Sequence, residues 1–126
     1  MHVSLWIFLG GGLGALSRWL LSVGIEKITH TSAFHRFPLG ILMCNLLGCL
    51  AIGALFGALA PRHQPSWVFP FWVTGFLGGF TTFSTFGNDT HRLLTDGFHG
   101  LALANILAST LGGLAMVFLG YRMTQA

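Results

Sequence analysis

Apolar residues fall into four long runs separated by short polar interruptions. A helix that crosses the hydrocarbon core of a bilayer needs about 20 mostly apolar residues. Four stretches meet that length: Val3–Val23, Leu39–Ala60, Trp67–Phe86 and Leu101–Tyr121. The interruptions are Glu26–Phe37, with Lys27 and Arg36; Pro61–Ser66, with Arg62; and Gly87–Gly100, with Asp89, Arg92 and Asp96. The runs are continuous, not alternating, which separates them from the dyad pattern of membrane-barrel strands. The first lacks a basic leader and exceeds the length of a cleavable signal segment, so it reads as a helix of the mature protein. No linker is long enough to divide the chain. The pattern predicts a single all-α integral membrane domain over residues 1–126, with four transmembrane helices.

Composition narrows the function. Charged residues make up 7 % of the 126 positions and apolar residues 53 %, against roughly 25 % charged in soluble domains. A soluble chain so poor in charge would expose wide apolar patches. The net charge of +3 is scattered, which gives no basic patch for nucleic acid. Four spans place Arg62 and Arg122 on one side and Lys27, Arg36 and Arg92 on the other, with Arg18 adding to the second. So small a bias hardly fixes orientation. One consequence is insertion both ways and pairing as an antiparallel dimer; the other is a single topology set by folding contacts. Gly10 and Gly14, Gly53 and Gly57, and Gly75 and Gly79 stand at the spacing that lets helix backbones approach in lipid. Four short helices hardly enclose a polar pathway alone, which favours an oligomer. Cys44 and Cys49 lie five positions apart on one helix and point in different directions, against a disulfide or a metal pair.

Polar groups at membrane depth are costly unless they pair or line a pathway. Arg18 can bond carbonyls at a helix end or draw anions to a vestibule; equally, it can snorkel to the headgroups beside Trp19. Asn45, in the middle of the second run, offers amide donors without net charge; it either joins two helices or donates to a passing anion. The third run carries the strongest signal. Gly75-Phe76-Leu77-Gly78-Gly79-Phe80-Thr81-Thr82-Phe83-Ser84-Thr85-Phe86-Gly87 is a poor helix in composition. A break is expected there. Carbonyls released around Gly78 and Thr81 can hold a small cation, and the hydroxyls of Thr81, Thr82, Ser84 and Thr85 can serve an anion. Phe80, Phe83 and Phe86 recur every three residues, either as ordinary aromatic packing or as ring edges turned toward an anion. Asn105 and Ser109 lie one turn apart in the fourth run, as a polar stripe or as interhelical bonds. No carboxylate falls inside a run: Glu26, Asp89 and Asp96 lie in the interruptions. No nucleophile–base set or phosphate loop appears, so the chain is not expected to be an enzyme.

These residues resemble the Fluc family of fluoride channels, also known as the CrcB camphor-resistance group. The landmarks occur in order along essentially the whole chain: Gly11-Gly12-Leu13-Gly14-Ala15-Leu16-Ser17-Arg18-Trp19, then Pro38-Leu39-Gly40 with Asn45-Leu46-Leu47-Gly48, then Thr74-Gly75 through Phe86. The last is the most specific. The resemblance implies a dual-topology antiparallel homodimer in the cell inner membrane, with two fluoride pores and a central structural sodium ion. By position it implies that Asn45, Phe83, Phe86, Ser84, Thr85, Asn105 and Ser109 line the pore. It matches Arg18 to the family arginine and assigns the sodium to the backbone carbonyls of Gly78 and Thr81. The chain departs from the family pattern at Ile41, at Gly87-Asn88-Asp89 and at Gly113.

The chemistry fits on its own terms. Fluoride is small and strongly hydrated, so a pore must replace its water with donors while still letting it leave. Passive fluoride efflux is the function the resemblance implies. The alternative suggested by size and weak charge bias is a small dual-topology exporter of cationic compounds. It lacks the embedded carboxylate that such coupling needs.

Overall fold

The computed structural model describes residues 2–30, 35–59 and 64–125. The elements are α1 (Val3–Thr29), α2 (Leu39–Leu59), α3, α4 (Phe83–Thr95) and α5 (His99–Thr124). Here α3 joins a π-helical stretch, Phe69–Leu77, to a single α-turn, Gly78–Phe80. No strand occurs among the described residues. By length and composition α1, α2 and α5 can each cross a bilayer, and the chain is a multi-pass membrane protein. The third run is the exception. It is split at Thr81–Thr82, where the composition predicts a break, because both residues take extended backbone angles.

Two boundaries differ from the apolar runs. Helix α1 passes Val23 and carries Glu26 and Lys27, with Lys27 in the last turn, where a cation complements the helix C-terminus. The interruption Gly87–Gly100 is mostly helical, since α4 runs to Thr95 and only Asp96-Gly97-Phe98 connects it to α5. Gly97, at φ +83°, makes that turn where a side chain would be strained. Hydropathy ends where charge begins, whereas an amphipathic helix does not: α4 buries Thr90 and Leu93 and turns Arg92 to solvent. Ala60 and part of the second interruption, with Arg62, lie outside the described residues.

Packing follows the glycines. Methyl groups at Gly10 and Gly14 would strike the backbone of Phe71 and Phe76 in α3, and one at Gly79 would strike that of Gly11. Across the other seam, Gly53 and Gly57 meet the α5 backbone at Val117 and Tyr121, and Gly120 answers at Leu50. All three sequence pairs therefore sit where backbones touch. In lipid this close approach supplies the dispersion and packing that the hydrophobic effect cannot. At the start of α3, Trp6 lies 5.4 Å from Trp67 and meets Phe71 edge-on at 6.1 Å. The α1–α3 and α2–α5 pairs thereby hold the break of the third span against α2.

Candidate ion site at the helix break

A helix interrupted inside a membrane leaves backbone groups without partners, and each must be satisfied. At this break side chains from two other helices meet them. The amide of Asn45, on α2, makes two bonds to one residue: Nδ2 donates to the Thr82 carbonyl at 3.2 Å, and Oδ1 accepts from the Thr82 N–H at 2.8 Å. Arg18, on α1, donates from Nη1 to the Thr81 carbonyl at 3.3 Å. The Thr81 hydroxyl donates to Leu77 O at 2.9 Å, closing the last turn of α3. Because the Thr82 N–H goes to Asn45, the carbonyl of Gly78 loses the donor that a continuous helix would give it.

The first turn of α4 is capped from within. The Thr82 hydroxyl oxygen accepts from the Thr85 N–H at 3.2 Å and lies 3.1 Å from Ser84 Oγ and 3.2 Å from Thr85 Oγ1. Thr82 is thus an N-cap. The remaining N–H groups of that turn carry the positive end of the helix dipole, which favours an anion. Phe83 and Phe86 follow with ring centroids 5.4 Å apart, and Phe83 is 82 % exposed. Phe80 takes another course, stacked on Phe76 at 5.9 Å before the break.

A cleft of about 420 Å³ opens beside the break. It is lined by Asn45, Gly78, Thr81, Thr82, Phe83, Phe86 and Ser109, together with Gly48, Cys49, Ile52, Val73, Leu77 and Thr110. No charged side chain is among the described residues that line it. Gly48 is required: a methyl there would collide with the Thr81 methyl group. The Ser109 hydroxyl is buried and meets no hydrogen-bond partner among the described residues, which leaves its O–H as a donor beside the cleft. The arrangement brings neutral amide and hydroxyl donors together with two aromatic rings, groups whose chemistry can hold a small anion briefly.

The family described as CrcB-like protein, Camphor Resistance (CrcB), matches residues 5–121. The chain belongs to the CrcB family. It is 42 % identical over 118 residues to the fluoride-specific ion channel FluC of Solibacter usitatus, covering 90 % of this chain and 91 % of that one. It is 44 % identical to the FluC protein of Dichelobacter nodosus over 100 % of this chain and 99 % of the relative. To that of Salmonella arizonae it is 37 % identical, over 100 % and 96 %.

Set against the CrcB resemblance, the structure sorts the candidate residues. Asn45, Phe83, Phe86 and Ser109 come together on the cleft, with Gly78 and Thr81 at its break. Ser84 and Thr85 stand in the hydroxyl cluster behind Thr82, and Arg18 reaches the break from the α1 side. Asn105 does not line the cleft. It is 2 % exposed, and its Nδ2 donates to the Thr90 hydroxyl at 2.9 Å. Sequence reading missed Thr90, Cys49 and Thr110. Cys49 has the four-residue spacing from Asn45 as its only signal, and Thr90 lies beyond the apolar run.

A second, polar cavity of about 430 Å³ lies past the end of the apolar run, lined by Glu26, His30, Arg36, Asp89, Arg92 and Asp96 among others. Arg36 lies over the Phe98 ring at 4.6 Å, and Asp89 is 3.9 Å from Arg92. Burial lifts the Asp89 carboxyl above the usual aspartate value; Arg92 opposes the shift and Glu26 adds to it. The folded state therefore binds the Asp89 proton more tightly than the unfolded chain does. Its contribution is present at acid pH and is lost as pH rises through the folded value. Asp89→Asn should accordingly raise the thermal midpoint in detergent at neutral pH, with the gain vanishing below the ordinary aspartate value. An unchanged midpoint at neutral pH would rule this out.

Proposed function

We propose that the chain is a fluoride channel that lets the ion leave the cytoplasm passively across the cell inner membrane. The observation that carries this reading is the uncharged cleft in which Asn45, Phe83, Phe86 and Ser109 converge beside a helix break. Three related proteins named fluoride-specific ion channel cover nearly the whole length. Fluoride must exchange its water for donors on entry and recover it on exit. A fixed ammonium would trap it and a carboxylate would repel it; neutral donors and ring edges do neither. Asn45 has one amide hydrogen left after its two bonds to Thr82. Ser109 Oγ–H, the hydroxyls of Ser84 and Thr85 and the ring edges of Phe83 and Phe86 continue the set. The absence of any acid among the cleft residues argues against export of cationic compounds.

The functional unit in this proposal is an antiparallel homodimer with two pores. Phe83, beside the cleft, is 82 % exposed in the single chain, and a second copy provides the missing wall. The backbone carbonyls of Gly78 and Thr81 would hold a structural sodium ion, and the donor chemistry of the break fits one, since the Gly78 carbonyl has lost its helical donor. Thr81 O keeps one lone pair beyond the bond from Arg18. Sodium takes such hard oxygen donors and supplies positive charge between the two copies.

The test is direct. Purified protein in liposomes should dissipate a fluoride gradient while leaving a chloride gradient intact. Fluoride efflux no faster than from empty liposomes would sink the proposal. Cross-linking in the same vesicles should give a dimer.

A further inference from the structure

Helix α4 presents Phe86 to the cleft, yet it buries only Thr90 and Leu93 among its described residues. Its hold on the rest of the molecule is narrow. Thr90 is 8 % exposed, and its hydroxyl donates to the carbonyl of Phe86 at 2.8 Å, one turn back. The same oxygen accepts from Asn105 Nδ2, on α5, at 2.9 Å. A hydroxyl has one proton to give and lone pairs to receive, so the chain Asn105 N–H to Thr90 O–H to Phe86 C=O runs in one direction. Each link fixes the next. A threonine bonded to the carbonyl four residues earlier often bends its helix, and the turn so bonded here is the one that carries the Phe86 ring.

We propose that Thr90 and Asn105 form a buried latch between α4 and α5 that sets the position of Phe86. Asn105 acts as a positioning residue through Thr90 and does not meet the ion. The inference rests on the channel reading for its functional consequence and on geometry for the latch itself. It accounts for an asparagine that is 2 % exposed, lies off the cleft and spends its amide hydrogen on another helix.

The experiment uses Thr90→Val, Asn105→Leu, the double variant and Thr90→Ser, each reconstituted in liposomes. Valine keeps the branched shape of threonine and removes only the hydroxyl. Asn105→Leu breaks the link between the helices and Thr90→Val breaks both bonds of the hydroxyl. Each should lower fluoride efflux about tenfold, since either opens the latch, and the double should fall no further. Thr90→Ser, which keeps the hydroxyl, should return efflux to within about twofold of the parent protein. Backbone hydrogen exchange over residues 86–90 should quicken about tenfold in both single variants and not in Thr90→Ser. If Asn105→Leu lowers efflux while Thr90→Val leaves it unchanged, Asn105 touches the ion and the latch is overturned. Unaltered exchange in both single variants overturns it as well. Should the parent protein carry no fluoride, the channel reading fails, and the exchange measurement alone decides the latch.

Discussion

Replacing Asn45 with aspartate should lower fluoride efflux from liposomes by roughly 100-fold or more. Two effects act together. The aspartate keeps an acceptor for the Thr82 N–H but loses the donor to the Thr82 carbonyl, leaving two oxygens face to face where the bond of 3.2 Å stood. A buried acceptor without its donor costs about 1–3 kcal/mol. The carboxylate also sets a negative charge on the proposed ion path. At about 4 Å and an effective dielectric constant near 20, that repulsion is about 4 kcal/mol, close to a thousandfold. Efflux within twofold of the parent, from protein that remains monodisperse, would remove Asn45 from the path. It would leave the residue only its role as a staple across the break.

Gly14→Ala should cost most or all of the folded protein, whereas Gly12→Ala, two residues away in the same run, should be harmless. A methyl at Gly14 would drive into the Phe76 carbonyl, and backbone on both sides leaves nothing flexible to yield. Overpacking of this kind costs about 1–3 kcal/mol even where side chains can adjust, and more where they cannot. At Gly12 nothing lies within 4 Å, and alanine is a better helix former than glycine by about 0.8–1.0 kcal/mol. Size-exclusion profiles and thermal midpoints in detergent read both results. Equal behaviour of the two variants would show that the α1–α3 seam is not packed as described.

Much of the architecture was legible because lipid imposes a blunt rule: apolar length sets the number of spans. The runs beginning at Val3, Leu39 and Leu101 became α1, α2 and α5 for that reason. The break at Thr81–Thr82 was equally visible, since paired glycines and adjacent threonines give up little by leaving a helix. Helix ends were less so. Glu26 and Asp89 looked like loop residues by charge, yet both lie on helices whose polar side has somewhere wet to go.

The membrane class, the position of the break and the polar residue types at membrane depth can all be read along the chain. Hydrophobic length and local propensity act along the chain and need no partner to be read. Which polar groups those residues serve emerges only when the helices are packed together. Asn45 and Asn105 are chemically identical and both lie within apolar runs, but one staples the break at Thr82 and the other holds Thr90. The physical reason is that an amide's role at membrane depth is set by whichever donor or acceptor another helix brings within hydrogen-bond reach. Spacing along one helix does not contain that information.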